Sequence, residues 1–149
     1  MKAKIPFLVI SVLSLACKSQ TSTDQVVTAT TVSALGFHYW KLIEVQGVAV
    51  TTAENTEEIY MIMTPIDKES GILKGHAGCN GLGGDYRIDG QNVSFQPITT
   101  KMYCESRMDM ENAFLKMLTT ANRYELNGRR LELYSGAELL GIFERKADN

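Results

Sequence analysis

The sequence predicts an antiparallel α+β domain in which one helix closes a face of a strongly bent sheet. Three observations carry that expectation. Aromatic and β-branched runs recur on both sides of a helical segment and are broken by glycine-bearing turns. Asp89-Gly90, Asn127-Gly128 and Ser135-Gly136 each stand between alternating stretches, as tight hairpins require. The segment after Cys104 has helical periodicity, with Met110, Phe114, Met117, Leu118 and Ala121 on one stripe.

Taken in order, Met1 to Lys4 is short and basic, and Ile5 to Ala16 is an almost uninterrupted apolar run ending at Cys17. As a helix that run would span about 18 Å against a hydrocarbon core of about 30 Å, so a secretory signal over residues 1–16 fits better than a permanent membrane helix. Leu13-Ser14-Leu15-Ala16-Cys17 resembles a bacterial lipobox, with Ser14 where an aliphatic residue is usual. That resemblance implies a diacylglycerol on the Cys17 sulfur and a membrane anchor; the alternative is an ordinary signal cut near Ala16. Lys18, rather than Asp, follows the cysteine, which resembles lipoproteins sent to the outer membrane, facing the periplasm or the cell surface.

Loss of residues 1–16 leaves 13 basic and 17 acidic side chains, a net charge of −4, on 133 residues. That balance speaks against a nucleic-acid surface, and the length suits one core. Lys18 to Ala34 holds eight Ser or Thr in seventeen residues, too little apolar surface to offset ordering, so residues 17–35 read as a lipid-bearing cysteine and a flexible tether. Residues 36–146 form the folded domain.

Phe37 to Val45 is aromatic and β-branched and stops at Gln46-Gly47, a strand and its turn. Val48 to Thr52 adds a short strand, and Ala53 to Glu57 a polar loop. Ile59 to Met63, bounded by Thr64-Pro65, is continuous enough for a buried strand. Ile72 to His76 leads into Gly75–Gly84, whose five glycines point to a tight, irregular turn. A phosphate cradle would need GxGxxG or Gly-Lys-Ser/Thr, and Gly81-Leu82-Gly83-Gly84-Asp85-Tyr86 completes neither. Asp85 to Ile88 and Val93 to Phe95 alternate across Asp89-Gly90. The helix spans about 107–121, with Ser106 and Asp109 at capping-box spacing. Tyr124 to Leu126, Arg129 to Tyr134 and Leu139 to Glu144 return to strands.

Tyr39-Trp40-Lys41-Leu42, Gly78-Cys79-Asn80, Gly84-Asp85-Tyr86, Thr100-Lys101-Met102-Tyr103-Cys104, Glu111 with Phe114-Leu115 and Leu118, and Leu131-Glu132-Leu133 follow one another at family spacing. In that order they resemble the META domain of HslJ-like heat-shock proteins, over residues 37 to about 145. Gly81-Leu82-Gly83 is richer in glycine than the family pattern, and Glu105 stands where proline often follows the cysteine. The resemblance implies a half-open antiparallel β-barrel with a helix packed on it, no established catalysis and no cofactor. It also implies a loose link to envelope stress and drug tolerance.

Cys79 and Cys104 remain as an even pair in an exported chain once Cys17 carries lipid, which favours a disulfide. The competing soft-metal reading gathers His76, Cys79, Met102 and Cys104, with Met108 and Met110, as ligands for Cu(I), though no CxxC or paired-histidine spacing supports it. A cysteine nucleophile with His76 as base is the enzyme reading, and nothing else marks a triad. The leading expectation is a non-catalytic envelope module that binds a protein or small ligand near the Gly78–Tyr86 turn. Asn80, Asp85 and Tyr86 offer amide, carboxylate and phenol groups there, while Asn80 capping its own turn and Tyr86 packing in the core are the structural alternatives. The open end of a half-closed barrel is a second possible site.

Overall fold

Residues 34–147 are described by a computed structural model. The signal segment, Cys17 and the tether up to residue 33 lie outside the described residues. In chain order the elements are β1 (Tyr39–Val45), β2 (Val48–Ala49), β3 (Tyr60–Pro65), β4 (Ser70–His76), β5 (Gly81–Asp89), β6 (Asn92–Thr99), α1 (Met108–Thr120), β7 (Arg123–Asn127), β8 (Arg130–Ser135) and β9 (Glu138–Arg145). Every named strand pairing is antiparallel, and the strands make one nine-stranded sheet.

The sheet is bent until its ends meet at β1. On one side β1 pairs with β3 from Tyr39↔Ile62 to Lys41↔Tyr60, and on the other with β9 from Trp40↔Arg145 to Val45↔Gly141. A bulge between Leu42 and Glu44 shifts the alternation by one residue, so that Trp40, Leu42 and Val45 all reach the core. The ladder is weakest between β6 and β7, which share the single pair Asn92↔Arg123. There α1 packs against β6 and covers the opening. Its Phe114, Met117 and Leu118 are buried, with Phe114 edge-on to Phe143 of β9 at 6.2 Å. Trp40 is fully buried and donates its Nε1–H to the Leu35 carbonyl at 2.9 Å, which satisfies the one polar atom of the ring. Among the described residues no helix is long and apolar enough to cross a membrane.

Several local expectations are corrected. The glycine-rich stretch is mostly strand: only Ala77 to Asn80 turn, and β5 begins at Gly81. Gly84 stands within β5 at φ +126°, and a Cβ there would collide with the Gln96 carbonyl oxygen, so the residue serves a sharply bent strand rather than a loop. The Ile59–Met63 run is buried on one face only, since Tyr60 and Ile62 are half-buried. Each of the three hairpins turns one residue later than Asx-Gly pairing predicts. Asp89, Asn127 and Ser135 are the last paired residues, and Gly90, Gly128 and Gly136 supply the positive φ at the first loop position. Ser106 does not cap α1: the helix starts after Arg107 with no side-chain cap. Met110 is only partly buried at the edge of the apolar stripe.

Candidate functional site

The turn between β4 and β5 is fixed from below by a buried carboxylate. Glu111, in the first turn of α1, is 2 % exposed. Its Oε2 accepts the Cys79 and Asn80 backbone N–H groups at 3.0 and 2.8 Å, and its Oε1 accepts Asn80 Nδ2 at 2.7 Å. Asn80, 1 % exposed, spends its side chain entirely on the fold. Nδ2 also donates to the Met102 carbonyl at 3.0 Å, and Oδ1 accepts from Thr100 Oγ1 at 2.8 Å and Met102 N at 2.7 Å. The amide is saturated and has no capacity left for a ligand. Asn80 is thus the pin of this turn, which corrects its place among the binding candidates. Glu111 lies at i, i+3 and i+7 with Phe114 and Leu118, so an acid on the apolar face of a helix was the available signal for this role.

Cys79 and Cys104 are joined as a disulfide, with Cα atoms 5.8 Å apart. It ties the turn to the segment entering α1, beside the Asn80 and Glu111 network. Joined sulfurs are not thiolates, so in this structure the soft-metal set of His76, Cys79, Met102 and Cys104 has lost both of its strong ligands. His76 Nδ1 accepts the Gly78 N–H at 3.2 Å, and Met102 is exposed. Among the described residues no three His, Cys, Asp or Glu side chains stand together as a metal group. The cysteine nucleophile is consumed in the same bond.

Asp85 and Tyr86 sit further along β5 and point to opposite faces, as strand alternation requires. Tyr86 is 2 % exposed and its ring lies against Gly71 of β4; burial, then the nearby Asp67 carboxylate, pushes its phenol up to about 12. Asp85 is exposed. Both line a cleft of about 190 Å³ with Ser70, Arg87, Ser94 and Gln96. Arg87 is the residue that motif reasoning passes over; the alternation Asp85, Arg87 and Asp89 against Tyr86 and Ile88 already places it outward. It also lines an adjoining cleft of about 410 Å³ beside the β6 and β7 seam. A third cavity, about 350 Å³, opens between residues 49–59 and the start of α1, floored by Val50, Ile59 and Met110.

A second polar cluster lies on the outer face of β1. Glu58 accepts from Lys41 at 2.8 Å, Lys146 at 2.9 Å and the Tyr39 hydroxyl at 3.0 Å. Lys41 first, and then Lys146, hold the Glu58 carboxyl down to about 2. Tyr39, stacked on Tyr60 at 4.1 Å between ring centroids, has its phenol raised by burial and by its bond to that carboxylate.

The model of the META domain matches residues 33–147. No curated protein matches at a significant level. Among solved structures, an NMR structure of a protein from Burkholderia xenovorans is similar with a TM-score of 0.62 and 21% identity, covering 98% of this chain and 99% of that one. Another NMR structure has a TM-score of 0.58 and 19% identity over 75% of this chain and 92% of that one. At such identities the likeness is one of fold.

Proposed function

The chain belongs to the META domain family, and from that premise we propose that it is a non-catalytic cell-envelope lipoprotein acting by binding, in envelope stress or drug tolerance. In this reading Cys17 carries the lipid, and the domain faces the periplasm from the outer membrane on its tether. The Met1–Cys17 pattern supports the anchor. The observation that carries the binding role is the cleft on β5 and β6, where the side chains of Asp85, Arg87, Ser94 and Gln96 converge and make no hydrogen bond among the described residues. The binding face is therefore moved from the turn itself to Asp85 and its neighbours, with Asn80 as support.

Cross-linking in intact envelopes tests the role. Asp85→Ala is expected to keep the melting temperature of the parent and lose the captured partner; Asn80→Ala is expected to lose both. Equal capture by the parent and a folded Asp85→Ala protein would refute this site. For the anchor, intact mass of the membrane fraction is expected to show the lipid increment on Cys17, and a Cys17→Ser chain still partitioning with membranes would count against it.

A further inference from the structure

Resting on that binding role, we propose that the cleft beside Arg87 takes a small amino acid, its carboxylate on Arg87 and its ammonium on Asp85, with basic side chains preferred. The chain has six arginines. Arg107 donates to the Glu57 carbonyl, Arg123 to Glu125, Arg129 to the Arg145 carbonyl and Arg130 to Glu132, while Arg145 faces His38 Nε2. Arg87 makes no hydrogen bond or ion pair among the described residues; its electrostatic neighbour is Asp67, whose carboxylate accepts from Glu69 N, Ser70 N and Ser70 Oγ. A free guanidinium beside a cleft presents a planar fork that fits a carboxylate with two parallel bonds.

Asp85 stands two residues earlier on the same face, about 7 Å away along the strand, and is equally unengaged. Ser94 lies opposite Arg87 and Gln96 opposite Asp85 on β6, adding neutral donors and acceptors beside the two charges. Tyr86, almost wholly buried, lines the same cleft, and its hydroxyl makes no hydrogen bond among the described residues. Opposite charges placed side by side yet not paired with each other match a ligand that carries both charges. At about 190 Å³ the cleft is below the range of roughly 300 to 1,000 Å³ for drug-sized ligands, which limits the occupant to something of amino-acid size.

The surrounding charge sets the preference. Glu69 and Asp89 line the adjoining cleft that shares Arg87 and Ser94, so with Asp85 and the neighbouring Asp67 four carboxylates surround one guanidinium. A simple anion is repelled by that excess, and a second ammonium on the ligand is attracted by it. Lysine therefore suits the site better than glycine, and glycine better than acetate.

Backbone amide shifts and calorimetry on the full chain, titrated with lysine, glycine, acetate and butylamine, test this. Lysine is expected to give saturable shifts at Asp85–Arg87 and Ser94–Gln96, weakened by salt, with glycine weaker and acetate weakest. Asp85→Asn and Arg87→Gln are each expected to weaken lysine binding at least tenfold at unchanged melting temperature. Acetate or butylamine acting as strongly as lysine, saturable shifts only elsewhere, or no saturable shift with any of the four would overturn the inference. If Asp85→Ala loses the cross-linked partner while no amino acid binds, this inference fails and the binding role stands. If lysine binds and partner capture is indifferent to Asp85, the inference holds and the partner role fails.

Discussion

At the scale of single residues, the decisive contrast is between Asn80 and Asp85, five residues apart with opposite use. Asn80 is enclosed and fully bonded, whereas Asp85 bonds to nothing described. Removing the Asn80 amide strands the Met102 N–H and deprives the buried Glu111 carboxylate of a donor, so Asn80→Ala is expected to cost roughly 3 kcal/mol in chemical denaturation, and Asp85→Ala no more than about 0.5 kcal/mol. Similar losses for both would show that the network is not what holds the turn. Glu58 provides a pH test. Its folded pKa of about 2 lies below the ordinary 4.5, so its stabilising contribution is complete above pH 4.5 and disappears as pH falls through about 2. A Glu58→Gln chain is expected to lose about 1 kcal/mol at neutral pH and to show a flatter acid limb, measured as melting temperature against pH. An unchanged acid limb would place the acid sensitivity elsewhere.

At the scale of elements, what the sequence makes legible is whatever rests on periodicity. The spacing of Phe114, Met117 and Leu118 locates α1 to within a residue at each end, and the glycine of each hairpin locates three turns to within one. What it hides rests on contacts across the sheet. Gly81 to Gly84 reads as a loop because glycine's usual reason is a turn, and the real reason, close approach of the Gln96 carbonyl to Gly84, depends on a strand ten and more residues away. The uncapped start of α1 is hidden likewise: Ser106 and Asp109 stand at capping-box spacing, but the helix begins one residue later, after Arg107, where Met110 and not an acid stands three residues on. The cysteine pair is legible from parity and from the export that the Met1–Cys17 pattern leads one to expect, and its effect follows from the closed loop. A separation of 25 residues corresponds to about 3.5 kcal/mol of denatured-state entropy. Replacing both cysteines by alanine is expected to lower stability by about that amount while leaving the amide spectrum native, since Asn80 and Glu111 still join turn and helix. Unfolding of the double variant at room temperature would mean that the network cannot hold the turn alone.

At the scale of the whole molecule, the sheet is a ladder with one strong closure and one weak seam. Five register pairs join β1 to β9, and Trp40, Leu42 and Phe143 are fully buried around that closure. One pair joins β6 to β7, supported by Val93 N–H to the Asn122 carbonyl at 3.1 Å, Tyr124 N–H to the Gln91 carbonyl at 3.0 Å and the Tyr124 hydroxyl to the Gly90 carbonyl at 3.0 Å. Beyond Asn92 the β7 side of β6 has no named partner strand, and Pro97, which has no N–H to leave unpaired, lies in that stretch. Local opening follows the smallest loss of buried contact and hydrogen bonding, so the seam is expected to open well below the global unfolding free energy. Native-state hydrogen exchange measures this directly: Val93 and Tyr124 amides are expected to exchange by a local route insensitive to low denaturant, while those of Leu42 and Phe143 wait for global unfolding. Because Val93 and Ser94 also line the cleft that shares Arg87, a ligand seated there is expected to raise protection at Val93 more than at Phe143. Equal exchange free energies at the seam and at the β1 and β9 closure would mean that α1, packed across the opening, makes the sheet a single cooperative unit, and the weak-seam account would be wrong.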